Sequence, residues 1–259
     1  MKKWTFGAGA VAALLCVGAQ AATLDEIRAC MDRNLVDRGA LRDLSVAVTD
    51  REGKTHALRL KLYWKPSPEG EPRVNLRLLE PLAMKGSSYL LLQQGAQEQV
   101  WFHLPAADRS LHVTGKNMAE PLWGTDFSYG EIKQVLGLLY TGETTVTGEG
   151  EVGGRATHVL ETRTDVGTSG YGRIVSQVDR EACVLLKSEF FVKGDAPLKV
   201  LEADPASVLT LDEYSVVLDY TMRNLEQNSS THVGLSDFTL LERLPERMFD
   251  PERFFEPFD

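Results

Sequence analysis

The sequence predicts a mainly β protein in which one antiparallel sheet curls into a full or partial barrel and short α-helices plug the opening. Apolar and polar residues alternate repeatedly between Asp43 and Leu240, the period-2 pattern of strands with one buried face. Turn signals such as Arg51-Glu52-Gly53 separate these runs. Strands do not alternate with helices along the chain, so we expect them to pair antiparallel.

The alternation predicts roughly ten or eleven strands. Three are the clearest, in residues 55–65, 73–79 and 213–223. Their apolar positions are Leu58, Leu60, Leu62 and Trp64; Val74, Leu76 and Leu78; and Tyr214, Val216, Leu218, Tyr220 and Met222. Less regular strands are predicted near 86–94, 99–104, 109–114, 156–163, 171–179, 183–193, 197–203 and 232–241.

Two segments have the period of a helix. In LDEIRACMDRNL, apolar residues recur every three or four positions from Leu24 to Leu35. The second segment follows GTDFSYGE, which places Asp126, Ser128 and Glu131 close together and has the look of a catalytic loop. Ser128 and Glu131 also form S-x-x-E, the spacing of a capping box at a helix start.

We therefore interpret GTDFSYGE as the start of a helix. Phe127 and Ile132 stand at the positions of a hydrophobic staple, which supports this interpretation. Downstream, the residues that share one helical face are Ile132, Val135, Leu136 and Leu139. A capping hydroxyl is already engaged and no histidine lies nearby, so a catalytic role for Ser128 is disfavoured.

The size of the apolar face predicts a cavity. Two short helices cannot blanket ten strands, so the sheet must curl around its own apolar face. A space lined by Leu, Val, Phe, Tyr and Met would then lie between sheet and helices, and such spaces hold apolar ligands. The alternative is a solid core, and periodicity alone does not decide between the two.

The amino-terminal residues have the pattern of a secretory signal peptide. Lys2 and Lys3 precede an apolar run, and Ala19-Gln20-Ala21 has the small-x-small cleavage pattern. We expect cleavage after Ala21, a soluble exported protein in the periplasm, and one domain over residues 22–259. The alternative of a retained membrane anchor is disfavoured because the run is short.

The net negative charge of the mature chain argues against partners that are themselves strongly negative. Removal of residues 1–21 leaves 26 basic and 37 acidic side chains, a net charge of −11. Nucleic acid and anionic lipid surfaces repel such a chain. We therefore expect no nucleic-acid partner.

The mature chain contains two cysteines, Cys30 and Cys183. An even pair in an oxidising compartment predicts a disulfide between them, which would tie the first helix to a mid-sheet strand. The alternative is that both are small buried hydrophobic residues.

Enzyme signatures are missing from the sequence. It contains no G-x-S-x-G elbow, H-E-x-x-H, C-x-x-C or Walker loop. The glycine-rich GTSGYG at 167–172 precedes a strand-like run, so we interpret it as a hairpin loop and not as a phosphate site. The five histidines are scattered singly. We expect no catalytic residue, metal or cofactor, and a hydrolase is the least favoured function.

The sequence resembles the LolA/LolB-like lipoprotein carriers, in particular the branch of outer membrane lipoprotein-sorting proteins. The resemblance covers nearly the whole mature chain and is most specific at Gly124-Thr125-Asp126-Phe127-Ser128-Tyr129. Weaker matches are the helix with Cys30-Met31, the strand ending in Tyr63-Trp64, VDREACVLLKSEFF, MRNLEQNSSTHVGL and Met248-Phe249.

This resemblance implies a half-open antiparallel β-barrel closed by short helices, which binds lipid or lipoprotein acyl chains in the periplasm for transfer toward the outer membrane. It implies a non-enzymatic carrier or chaperone, expected to be a monomer, with an inner-membrane exporter of the resistance–nodulation–division (RND) type as a candidate partner. A lipid-sensing regulatory protein of the same fold is the alternative.

The resemblance also implies that the apolar face is only partly filled. The residues expected to line the cavity are Leu60, Leu62, Trp64, Val74, Leu76, Leu78, Val216, Leu218 and Tyr220. The helix after Ser128 would act as a movable lid, because Gly130 and Gly137 each cost it about 1 kcal/mol relative to alanine.

Overall fold

The computed structural model describes residues 22–257 except 96 and 212, and it does not describe the side chain of residue 237. The predicted signal peptide lies outside the described residues. The α-helices are α1 (Leu24–Asp32) and α2 (Val166–Ser169). The strands are β1 (Gly39–Thr49), β2 (Thr55–Trp64), β3 (Arg73–Glu80), β4 (Ser88–Gln94), β5 (Gln97–Leu104), β6 (Arg109–Val113), β7 (Glu143–Val152), β8 (Arg155–Arg163), β9 (Arg173–Asp179), β10 (Leu185–Phe191), β11 (Lys199–Ala203), β12 (Val208–Leu211), β13 (Tyr214–Val217), β14 (Asp219–Asn224) and β15 (Ser229–Leu241).

Thirteen of these strands form one sheet in the order β6-β5-β4-β3-β2-β1-β15-β14-β11-β10-β9-β8-β7. Within the described residues every ladder of this sheet is antiparallel. Strands β6 and β7 are its two edges, so the sheet does not close on itself. This confirms the predicted fold class, a mainly β, half-open antiparallel barrel.

The alternation in β2 and β3 builds the inner face of the sheet as the sequence predicts. Leu60 pairs with Leu78, Leu62 with Leu76, and Trp64 with Val74. All six side chains are buried in the main core. Burying each of them contributes roughly 1.5–3 kcal/mol, so this face supplies a large part of the folding free energy.

Four strands differ from the sequence-based expectation. Strands β1, β7 and β12 were not individually predicted, and the predicted strand over 213–223 is two strands. It breaks at Leu218, whose amide donates to Ser207 O at 3.2 Å. The half before the break, β13, leaves the large sheet and pairs with β12 in a separate two-stranded hairpin.

Helix α1 closes one end of the barrel. Thr23 and Glu26 form a reciprocal capping box at its start, and Ile27 and Met31 are its buried residues. A disulfide joins Cys30 on α1 to Cys183, with Cα atoms 5.6 Å apart, as the sequence predicts. Cys183 differs from the expectation in one respect. It lies in the turn between β9 and β10, not in a strand.

The outer face of the sheet is covered by the carboxyl-terminal residues. Leu244, Met248, Phe249 and Phe254 pack in a second apolar cluster, whose sheet residues are Tyr63, Leu90 and Leu92. The side-chain amide of Asn75 on β3 donates to Met248 O at 2.6 Å and to Phe254 O at 2.8 Å. The segment therefore belongs to the core of the protein.

The GTSGYG loop is more ordered than the sequence indicates. Val166–Ser169 form one turn of α-helix, α2, and the Asp165 side chain accepts a hydrogen bond from Gly167 N at its start. The loop joins β8 to β9, as expected of a hairpin connection. None of the helices within residues 22–257 is long and apolar enough to cross a membrane.

Candidate functional site

An apolar cavity lies between the inner face of the sheet and the elements that close the barrel. Its volume is about 80 Å³. The sheet contributes Leu62, Trp64, Tyr220 and Leu235. Met31 on α1 also lines the cavity, as do Leu35 and Val36, which follow α1. The other lining residues are Val135 and Leu136, from the segment after Ser128, and Val216 and Val217, from β13.

Four of the nine residues expected to line a cavity do so, namely Leu62, Trp64, Val216 and Tyr220. Leu60, Val74, Leu76 and Leu78 are buried in the adjoining core. Leu218 is half-buried and faces a separate surface groove. The cavity is lined by residues of β1, β2, β14 and β15, whereas the inward side chains of β3 lie in the adjoining core.

The segment after Ser128 is not the α-helix that its periodicity predicts. It forms a 3-10 helix over Ile132–Leu136, which Gly137 ends with a φ of 80°. Ile132 and Val135 are buried, Leu136 and Leu139 half-buried, and Val135 to Gly137 line the cavity. We call residues 132–139 the lid segment.

GTDFSY itself forms a tight turn. Trp123 and Gly124 both have positive φ, 51° and 71°, as the central residues of a type I′ turn require. Thr125 N donates to Leu122 O at 3.0 Å to close the turn. Glycine at position 124 therefore serves the backbone geometry and not a reaction.

The predicted capping box is only half formed. The Glu131 carboxylate accepts a hydrogen bond from Ser128 N at 2.7 Å. The Ser128 hydroxyl is buried and has no hydrogen-bond partner among the described residues. The helix begins at Ile132 with Glu131 as its flanking residue, and the Glu131 and Ile132 amides donate to the backbone oxygen of Ser128 instead of to its hydroxyl.

Glu131 instead belongs to a buried charge network. Lys199 on β11 donates to the Glu131 carboxylate at 3.1 Å and to Asp126 O at 2.8 Å. The Tyr171 hydroxyl donates to the other carboxylate oxygen. Burial, and then the neighbouring Glu131 charge, hold the pKa of Tyr171 well above its usual value. Tyr171 therefore remains a donor at neutral pH.

Asp126 anchors the same turn to β15, the central strand of the sheet. Its side chain accepts hydrogen bonds from the hydroxyls of Ser229 and Thr231 on β15, and its amide donates to Thr231 Oγ1 at 2.8 Å. The two acidic residues of GTDFSYGE thus fasten the base of the lid segment to β11 and β15. Sequence reasoning found the two acids but not their distant partners: Lys199 is 68 residues from Glu131, and Thr231 is 105 residues from Asp126.

A second ion pair holds the first turn of the lid segment against the sheet. The Lys133 ammonium contacts the Glu98 carboxylate on β5, and it also donates to Thr141 Oγ1 at 2.9 Å. The base of the segment is thus held by two charged contacts. In its distal part, Val135 to Leu139, residues 135–137 line the cavity, and no described side chain there takes part in an ion pair or a side-chain hydrogen bond. Segments held by few contacts of this kind open most easily.

Arg42 on β1 is the charged side chain of the cavity wall. Its guanidinium lies 4.6 Å from the centre of the Phe238 ring. Burial lowers the pKa of Arg42 to about 10, so it keeps its charge at neutral pH. The sequence analysis did not single out Arg42. The sequence feature that could have indicated it is an arginine between Leu41 and Leu44, within the run that forms β1.

The described residues contain no group of three or more His, Cys, Asp or Glu side chains that could hold a metal ion. The arrangement is an apolar chamber with one cation at its wall. Its chemistry is that of binding an apolar molecule.

Replacing Ser128 with alanine should change the free energy of unfolding by less than about 0.5 kcal/mol, or raise it slightly, because the hydroxyl is buried without a partner. Urea unfolding at equilibrium would measure this. Thr231→Val is the matched control, since it removes a hydroxyl that bonds Asp126, and it should cost about 1–3 kcal/mol. A cost for Ser128→Ala equal to that of the control would contradict the half-formed box.

Comparison with known proteins supports the fold. A family model described as "Uncharacterized protein" matches residues 70–254. No curated protein sequence matches the chain. A putative outer membrane lipoprotein-sorting protein domain from Vibrio parahaemolyticus is similar in structure, with a TM-score of 0.77 and 21% identity over 90% of this chain and 98% of that one.

Two further solved structures are similar. A DUF1329 family protein from Desulfovibrio piger has a TM-score of 0.75 and 19% identity, covering 87% of this chain and 95% of that one. A LolA superfamily protein from Nitrosomonas europaea has a TM-score of 0.66 and 14% identity, covering 88% and 98%. The chain belongs to the family whose model matches residues 70–254, and its half-open barrel is the fold of the LolA-like lipoprotein-sorting proteins.

Proposed function

We propose that the protein is a periplasmic carrier that binds the acyl chain of a lipid or lipoprotein in the cavity and moves it toward the outer membrane. The observation that carries this proposal is the apolar cavity beneath the distal lid segment, on the inner face of a LolA-like half-barrel. The proposed ligand-lining residues are Leu62, Trp64, Val216 and Tyr220. The signal-peptide pattern of residues 1–21 and the disulfide support the periplasmic location.

A carrier is needed because acyl chains cross water poorly. Each buried CH₂ contributes about 0.8 kcal/mol, so a chain of about sixteen carbons resists transfer through water by roughly 12 kcal/mol. A protein that encloses the chain removes this barrier, provided that it also releases the chain. The protein therefore needs a chamber that opens and closes.

The small cavity supports a carrier that closes over its ligand site. At about 80 Å³ the cavity is smaller than the roughly 300–1,000 Å³ of ligand pockets, as a closed form would require. Binding an acyl chain requires the lining to move apart. The distal lid segment is the proposed mobile wall, because Lys133 and Glu131 fix only its base.

An inner-membrane RND-type exporter is a proposed partner that would supply or receive the lipid. The support for it is the sequence resemblance to the lipoprotein-sorting branch. Co-purification of the exporter with the carrier from membranes, after crosslinking in the periplasm, would test this pairing.

The substitution Leu62→Trp tests whether the inner face encloses a partly empty cavity or a solid core. A fluorescent fatty acid should bind the wild-type protein near one to one. The larger side chain at position 62 should weaken that binding severalfold, since Leu62 lines the cavity. It should lower the free energy of unfolding by less than the 1–3 kcal/mol typical of an overpacked core. Fluorescence titration and urea unfolding give the two readouts.

Leu78→Trp is the matched control. Leu78 lies on the same inner face, is fully buried and does not line the cavity. We expect this variant to be clearly less stable while its folded fraction still binds the probe. No probe binding to delipidated wild-type protein, together with equal destabilisation by both substitutions, would refute the carrier.

A further inference from the structure

A second apolar space adjoins the cavity on the outside of the molecule. It is a surface groove between the β12–β13 hairpin and strands β1 and β15, with a volume of about 630 Å³. The hairpin side contributes Leu209, Leu211 and Leu218, and the sheet side contributes Phe238 and Leu240. Leu209 and Leu240 are 43% and 38% exposed, so the groove presents apolar side chains to solvent.

The groove and the cavity share a wall. Arg42, Leu235 and Phe238 line both spaces. The Arg42 guanidinium lies over the Phe238 ring, so this pair of side chains, together with Leu235, stands between the groove and the cavity. The Arg42 side chain has several rotatable bonds, and the Phe238 ring can turn about its side-chain bonds. A change of rotamer in this pair would join the two spaces.

Among the described side chains, none neutralises the charge of Arg42. Among the described residues, neither a carboxylate nor a hydrogen-bond acceptor contacts its guanidinium, whose one specific contact is the Phe238 ring. The next acid on β1, Asp43, is paired with Lys61 at 3.0 Å. Charged groups in apolar surroundings are normally paired, so the geometry favours an anionic group from a ligand.

The hairpin that roofs the groove is held by few polar contacts. It is not part of the large sheet. Near its tip, Ser215 N donates to Asn34 Oδ1 at 2.8 Å and the Tyr214 hydroxyl donates to Asp37 Oδ1 at 3.2 Å. A two-stranded hairpin is only marginally stable by itself, so the loss of these contacts would let it swing away from β15.

We propose that this groove is the mouth of the cavity and that Arg42 binds there the carboxylate of a single-chain fatty acid whose alkyl chain lies inside. The inference rests on the proposed function and specifies its ligand. A planar guanidinium matches a carboxylate through two parallel hydrogen bonds. The single Arg42 cation matches a ligand with one negative charge, and the small cavity matches a ligand with one alkyl chain.

The ligand test compares two probes of equal chain length, palmitate and hexadecanol, on the delipidated protein. Wild type should bind palmitate more tightly, by roughly tenfold to a hundredfold, because the carboxylate gains a charged hydrogen bond. Arg42→Met should abolish this preference by weakening palmitate binding far more than hexadecanol binding. Arg42→Lys should retain part of it. Calorimetric titration gives the dissociation constants, and thermal unfolding shows that the variants are folded.

The outcomes separate the two levels of the proposal. Equal binding of both probes by wild type, or a preference that survives Arg42→Met, would overturn the role of Arg42 and leave the carrier intact. Tighter binding of a lysophospholipid than of palmitate would overturn the assignment of a fatty acid. Failure of all these probes to bind would instead count against the proposed function.

The mouth is tested by the rate of association. Leu240→Glu places a negative charge in the exposed groove and should slow palmitate association severalfold, with a smaller effect on hexadecanol. Leu225→Glu makes the same change at a 51% exposed leucine outside the groove, and should leave both rates unchanged. Stopped-flow rates that are equal for the two variants would show that the chain does not enter here.

Discussion

Removal of the Cys30–Cys183 disulfide should lower the free energy of unfolding by roughly 4–5 kcal/mol on the chain-entropy model. The bond joins residues 153 positions apart, so it restricts a very long loop of the unfolded chain. Cys183 also lines the cavity, beside Met31 and Asn34. The double substitution Cys30→Ala/Cys183→Ala should therefore weaken acyl binding as well as stability.

Two measurements check the role of the disulfide. Thiol titration of the unreduced, denatured protein beginning at Ala22 should detect no reactive cysteine, and urea unfolding with and without reductant should show the loss of stability. In the double alanine variant reductant should have no effect, which makes it the control. Two reactive thiols, or equal stability of the reduced and oxidised wild type, would contradict the prediction.

Lys199→Met should destabilise the protein by about 3–5 kcal/mol, because it strands the Glu131 carboxylate in the core without its cation. Glu131 is fully buried and Lys199 is 8% exposed, so water cannot take over the lost charge contact. The turn at Asp126 loses a hydrogen bond in the same variant. Urea unfolding at neutral pH would measure the change.

Lys61→Met is the matched control, since its ion pair with Asp43 lies at the surface with both side chains about one third exposed. Removal of that pair should cost at most about 1 kcal/mol. The double variant Lys199→Met/Glu131→Leu should recover much of the stability, because it leaves no buried charge unpaired. If Lys199→Met is as mild as Lys61→Met, the network does not hold the lid segment.

Much of the architecture could be predicted from local patterns. Leu58, Leu60 and Leu62 alternate with polar residues because a strand points successive side chains to opposite faces, and the structure buries all three. Helix α1 and the Cys30–Cys183 bond followed from helical spacing and from an isolated pair of cysteines. Each of these features depends on neighbouring residues or on composition.

The candidate site was less accessible to such reasoning. One of its strands breaks at Leu218, where the amide donates to Ser207 O and β13 pairs with β12, and neither partner is adjacent in the sequence. The lid segment is a 3-10 helix preceded by Glu131, whose partners Lys199 and Tyr171 are also distant along the chain. Periodicity shows which residues are apolar, but it does not show which residues from distant parts of the chain contact them.

Sequence alone therefore determined the strand faces, the antiparallel class and the cysteine pair, because side-chain alternation and compartment chemistry act locally. Folding determined where the inner face remains unfilled, which strand carries Arg42 to the cavity wall, and that the carboxyl-terminal residues cover the outer face. Those outcomes depend on contacts between residues far apart in the chain, such as Asn75 with Phe254, which are 179 positions apart. Long-range packing of this kind leaves no periodic trace along the chain.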